Sequence, residues 1–104
     1  DPDIQDFVAE YRQKFGEDPV LPNPVMAQDA LLLIVDSIKR ANSFEGPKIA
    51  EAMANTVGLK VTSGTLTIDP TTHDPLDKPA VIQKVDVTNN SFPFHMKFYP
   101  QDVK

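Results

Sequence analysis

Cysteine is absent from all 104 residues, which excludes a disulfide framework, a thiolate nucleophile and a Cys-ligated zinc site. Cations are the minority: 10 Lys and Arg stand against 15 Asp and Glu, a formal charge of −5. A phosphate backbone needs clustered cations, so nucleic acid is not the expected partner. Long apolar runs are missing too. The longest, Ala30 to Val35, is six residues against the ~18 that span a bilayer. The recognisable chemistry of catalysis is equally thin. His73 and His95 are the two histidines, and neither has a partner at a spacing that implies a dyad. No G-x-S-x-G surrounds Ser37, Ser43, Ser63 or Ser91. Val61-Thr62-Ser63-Gly64 has too few glycines for a phosphate loop. Glu10, Glu17, Glu45 and Glu51 read as exposed carboxylates, with no pair in the apolar setting that tunes an acid. No catalytic residue, metal or cofactor is assigned, and an enzyme is the least supported class.

What is present is globular: 40% apolar residues with 24% charged is too hydrophobic for a disordered chain. Ten prolines and four glycines divide the chain. Ile4, Phe7, Val8, Tyr11 and Phe15 form one stripe of an amphipathic helix over about 3–15. Asp1 or Asp3 suits its cap, Arg12 and Lys14 its last turn and Gly16 its C-terminal stop. Pro19 and Pro22 make residues 17–23 an extended connector. A second helix follows, with Asn23 as N-cap, Pro24 in the first turn and Asn42 in the left-handed position past Ala41. Ala27, Ala30, Leu31, Ile34, Val35, Ile38 and Ala41 form its main face. Val25, Met26, Leu32 and Leu33 lie off that face, so this helix expects cover on more than one side. A third, short helix runs from Gly46-Pro47 to about Asn55 or Thr56, with Ile49, Ala52 and Met53 as its stripe.

The remainder reads as strand. Thr65 to Ile68 alternates, Ala80 to Val87 carries Val81, Val85 and Val87 on one face, and Phe92, Phe94, Met96 and Phe98 alternate with polar residues. Thr88 to Ser91 is the expected hairpin turn, because Asn tolerates φ > 0. The phenylalanine stripe is expected in the core. Asp69, Thr71, Asp74 and Asp77 supply oxygen ligands but lack the EF-hand spacing, so 69–79 is expected to be a solvated loop and not a calcium site. The layout is three helices followed by a three-stranded antiparallel meander: helix over 1–16, a helical pair over 23–57 and strands over 64–99 of one partial domain, 1–104. With Asp1-Pro2-Asp3 at its start, the sequence is expected to be a processed product or a fragment.

Five segments, in order, resemble the type I periplasmic solute-binding proteins of ABC transporters, branched-chain amino-acid type. Phe7 to Pro19 is similar to the family's F-x-x-x-Y-x-x-x-[FY]-G-x-x-P stretch, and Ala27 to Ala41 to its Y-D-A helix. Ile49 to Met53 is similar to I-x-x-A-[LM], Gly64 to Asp69 to G-x-[IL]-x-F-D, and Pro79 to Val85 to P-x-x-[IV]-x-[QK]-V. The resemblance implies an α/β fold of two lobes in a protein of roughly 350 residues, of which this is a C-terminal portion. It also implies a small-molecule ligand, such as an amino acid, held between the lobes, a membrane permease as partner, and a periplasmic or extracellular location with a lipid anchor as one form of the parent. The chain would cross between lobes near 19–24. The N-terminus of the second helix, with its free N–H groups, is then the expected cleft edge, and Asn23, Val25, Met26 and Gln28 are its candidate ligand-binding residues. Gln28 replaces the tyrosine that many relatives carry before Asp-Ala. Two other readings stay open: a ligand-sensing domain of a receptor or regulator with the same fold, and a stand-alone interaction module. As a fragment, the chain is expected to form a homo-oligomer through its uncovered apolar faces.

Overall fold

Proline and glycine decide where the helices begin and end in the computed structural model, which describes residues 2–102. Helix α1 spans Pro2–Phe15 and stops at Gly16, whose φ of 76° only glycine adopts without strain and whose N–H bonds the Arg12 carbonyl at 2.8 Å. Asp1, one of its two expected caps, lies outside the described residues. Helix α2 spans Asn23–Ala41. Its N-cap is Pro22 and not Asn23: the proline ring already holds φ at −71°, and its carbonyl accepts the Met26 N–H at 3.1 Å, drawing the helix back by one residue. Asn42 ends α2 in the left-handed region, φ 49°. Helix α3 spans Gly46–Ala54 after an extended Glu45.

The strands form two antiparallel sheets rather than one. The first is a three-stranded meander of β1 (Leu59–Val61), β2 (Gly64–Ile68) and β3 (Pro75–Leu76). Leu59 pairs with Leu66 and Thr67 with Leu76. The second is a hairpin of β4 (Ala80–Gln83) and β5 (Phe94–Phe98), in which Ile82 faces Met96 and the register shifts at Ile82/Gln83. The expected meander thus exists with different members. β1 was too short to show a periodicity, β3 lies within the 69–79 loop, and β4 and β5 pair with each other alone. A 3-10 turn, Pro100–Asp102, follows β5.

Aspartates close both turns. The Asp69 carboxylate accepts the backbone N–H groups of Thr71 and Thr72 at 2.7 and 3.1 Å, and these hold its carboxyl below the ordinary 3.8. Asp86 accepts the side-chain and backbone N–H groups of Asn89, with the same direction of shift, in the turn where Asn90 takes φ 49°. The first turn is the solvated 69–79 segment, and the second is the hairpin turn expected at 88–91.

Packing inverts the expectation for α2. The side turned toward α3 and β1 carries Asp29, Leu33, Ser37 and Arg40, with Asp29 and Ser37 buried. Arg40 fastens this side, donating to the Ala52 carbonyl at 2.8 Å, to Thr56 Oγ1 at 2.7 Å and to Asp36 at 2.7 Å. The apolar face faces outward, with Leu31 60% and Ile34 41% exposed. The β4–β5 hairpin is equally uncovered: Phe92 and Phe94 are each 64% exposed, so the phenylalanine stripe is not core in this chain. Among the described residues, two large apolar side chains are buried, Val61 at 2% and Leu66 at 8% exposure. The molecule is a plate of 53 × 43 × 18 Å with a radius of gyration of 16.5 Å, against about 13 Å for a closed domain of this length. A helix that is apolar on one side and tethered by polar groups on the other is an inner element, and only one of its layers is supplied here.

Candidate functional site

Helix α1 carries an aromatic ladder along its inner stripe. The rings of Phe7 and Tyr11 are 6.2 Å apart, those of Tyr11 and Phe15 4.6 Å, and the Lys14 ammonium stands 5.7 Å above Phe15. Helix α2 begins beside this ladder because the Pro19-to-Pro22 connector turns the chain back. Arg12 and Asp18, joined at 2.6 Å, fasten that turn, and the contact raises the guanidinium's affinity for its proton and lowers that of the carboxyl. Between the ladder, the start of α2 and β1 lies a groove of two adjoining parts, of about 400 and 260 Å3, with Phe7, Glu10 and Gln28 common to both.

The groove is amphipathic. Phe7, Tyr11 and Phe15 line one end, and Asp3, Asp6 and Glu10 bring carboxylates along the α1 wall. Lys14 and Lys60 bring ammonium groups, with Lys60 3.5 Å from Asp3. Gln28 is oriented by donating from Nε2 to Thr62 Oγ1 at 2.7 Å, and its carboxamide has a further donor and an acceptor. One residue on, buried Asp29 accepts the Ser63 N–H at 3.2 Å and the Ser63 hydroxyl at 2.5 Å. Lys78 donates to Ser63 Oγ at 2.7 Å and pairs with Asp29 at 3.9 Å. This cluster clamps the β1–β2 turn onto α2 and so fixes the height of Gln28 above the groove.

Of the expected cleft residues, the structure brings Gln28 into the groove together with Pro24, while Asn23, Val25 and Met26 stand outside its lining. The α2 N-terminus has no side-chain cap bond. Asp29, Thr62, Ser63 and Lys78 were not foreseen: the hydrogen bonds that join them to one another and to Gln28 span 15 to 34 residues, and no local spacing shows them. His95 is exposed on β5. His73, φ 66°, instead lies at the mouth of an apolar pocket with Leu33, Ala50, Met53, Ala54 and Ile68. Among the described residues, no group of three or more His, Asp or Glu is arranged to hold a metal, and no helix is long and apolar enough to cross a membrane.

Three helices followed by small antiparallel sheets, left open on their apolar faces, form a mixed α/β architecture that matches part of a type I periplasmic binding protein. A crystal structure that the chain is similar to is that of a leucine-binding protein, LivK, from Thermotoga maritima MSB8. It matches 99% of this chain with a TM-score of 0.79 and 33% sequence identity. The chain spans 28% of the length of that protein. No family model matches the sequence, and the search among curated proteins found no match.

Proposed function

We propose that this chain supplies one wall of a small-solute cleft in a two-lobe binding protein, with amino acids as the ligand class. The observation that carries the reading is the match along 99% of the chain to part of a leucine-binding protein. The groove supports it. An amino acid offers an ammonium group, a carboxylate and a side chain. The groove offers carboxylates on α1, ammonium groups at Lys14 and Lys60, and an aromatic ladder. The open faces of α2 and β5 support the rest: they are where further elements of the two lobes would pack. Closure of the lobes around solute then gives a membrane permease a shape to recognise, in the periplasm or outside the cell. The role is binding, not catalysis.

The test is calorimetry with leucine and a panel of other amino acids. Small-ligand sites bury ~70–90% of their ligand, which one wall cannot do. The 104-residue chain alone is expected to bind more weakly than about 1 mM. Residues 2–102 exchanged for the matching segment of the Thermotoga protein should give a chimera that binds an amino acid saturably. A folded chimera with no amino-acid binding would overturn the proposal, as would micromolar binding by the chain alone.

A further inference from the structure

Residues of both sheets line a further open cavity of about 410 Å3. That is within the range of small-ligand sites. Its walls bring together residues from three places: Ser63, Thr65 and Thr67 around β2, Lys78 in the β3–β4 connection, and Lys97 and Tyr99 at the end of β5. Two lysine side chains therefore line one cavity in a chain of net charge −5. Lys78 is held in place: its Nζ donates to Ser63 Oγ at 2.7 Å and lies 3.9 Å from Asp29. The preceding residue, Asp77, adopts φ 54°, a left-handed conformation that a non-glycine residue takes at a cost. Asp29 answers the charge of Lys78 from behind. Lys97, whose strand neighbour is Val81, lines the same cavity from β5, as the hydroxyl-bearing Ser63, Thr65 and Thr67 do from around β2.

We infer that this cavity is a binding site for a small oxyanion, a carboxylate or phosphate group received by Lys97 and Lys78 with the β2 hydroxyls as neutral donors. Asp77 also lines the cavity, and its negative charge disfavours an extended polyanion more than a compact anion. The site stands apart from the α1–α2 groove and does not depend on the solute-binding proposal. The linings of the two share no residue.

The test is a titration of the 104-residue chain at low ionic strength with inorganic phosphate and, separately, with succinate, followed by amide chemical shifts. Low salt matters because partly exposed charges are screened within about 10 Å at 0.1 M. Saturable shifts at Thr65, Lys78 and Lys97 are expected with at least one anion, and which anion saturates first identifies the source. Lys97→Gln should weaken binding by roughly tenfold or more, the loss of a charge-assisted contact, and Lys97→Arg should restore it. Lys48→Gln, on the exposed Glu45 pair of α3, is the control and should leave affinity unchanged. Shifts that never saturate, or equal losses in Lys97→Gln and Lys48→Gln with the spectra otherwise intact, would overturn the assignment.

Discussion

Replacing Asp29 by Ala removes the acceptor that holds the β1–β2 turn on α2. Two donors lose their partner, the Ser63 N–H and the Ser63 hydroxyl, together with the Lys78 ion pair. A hydrogen bond to a charged group contributes about 1.5–3 kcal/mol, and an unsatisfied buried group costs a similar amount. Ser63 is half-buried, so water recovers part of the loss. About 3 kcal/mol remains for Asp29→Ala. Lys78 is a different case: its side chain is 37% exposed and 3.9 Å from Asp29, so Lys78→Met should cost under about 1 kcal/mol. The chain buries few apolar side chains, which places its stability near the low end of the ~5–15 kcal/mol range. With an m-value of about 2 kcal/mol/M in urea, Asp29→Ala should lower the midpoint by about 1.5 M, and Lys78→Met by under ~0.5 M. Urea unfolding followed by far-UV circular dichroism measures both. If the two variants shift the midpoint equally, or Asp29→Ala shifts it by less than ~0.3 M, the turn is held by something other than this carboxylate.

Three other outcomes are expected. The isolated chain should self-associate through the outward faces of α2 and β5, since burying an exposed apolar side chain contributes roughly 1.5–3 kcal/mol; sedimentation should show species above 11.5 kDa, and Leu31→Glu should shift them toward monomer. A stable monomer at high micromolar concentration would contradict this. The Asp69 and Asp86 turns should fail in acid: their folded carboxyls titrate below the ordinary 3.8, so between the two values the unfolded chain binds more protons and stability rises with pH. The turns' contribution is complete above the ordinary value and is lost as pH falls through the folded one. Amide shifts of Thr71 and Asn89 should titrate with midpoints below 3.8, and midpoints at or above that value would refute the capping role. Calcium or EDTA should leave the melting temperature unchanged, because the Asp69 carboxylate already serves two backbone N–H groups; a shift of several degrees would reassign the loop.

The helices, their stops and the Asn89-Asn90 turn were legible in the sequence because each rests on local physics. Proline fixes φ, glycine and asparagine tolerate positive φ, and an apolar stripe at helical spacing needs no distant partner to be seen. Five residue motifs in order along the chain carried the resemblance to a solute-binding family. Tertiary structure decided which side of α2 is inside. The sequence favours Ala27, Ala30, Leu31 and Ile34, yet the plate packs α2 through the side that carries Asp29, Ser37 and Arg40, and Asp29 and Arg40 find partners at Ser63, Ala52 and Thr56, 12 to 34 residues away. Strand pairing was also decided there: β4 and β5 close on each other, and the phenylalanine stripe remains open. Of the four residues expected at the cleft edge, Gln28 alone lines the groove, because the β1–β2 turn brings Thr62 to its amide. A spacing along the chain specifies which residues share a face. It does not specify what will be placed against that face, because burial depends on contacts that form only when distant segments meet.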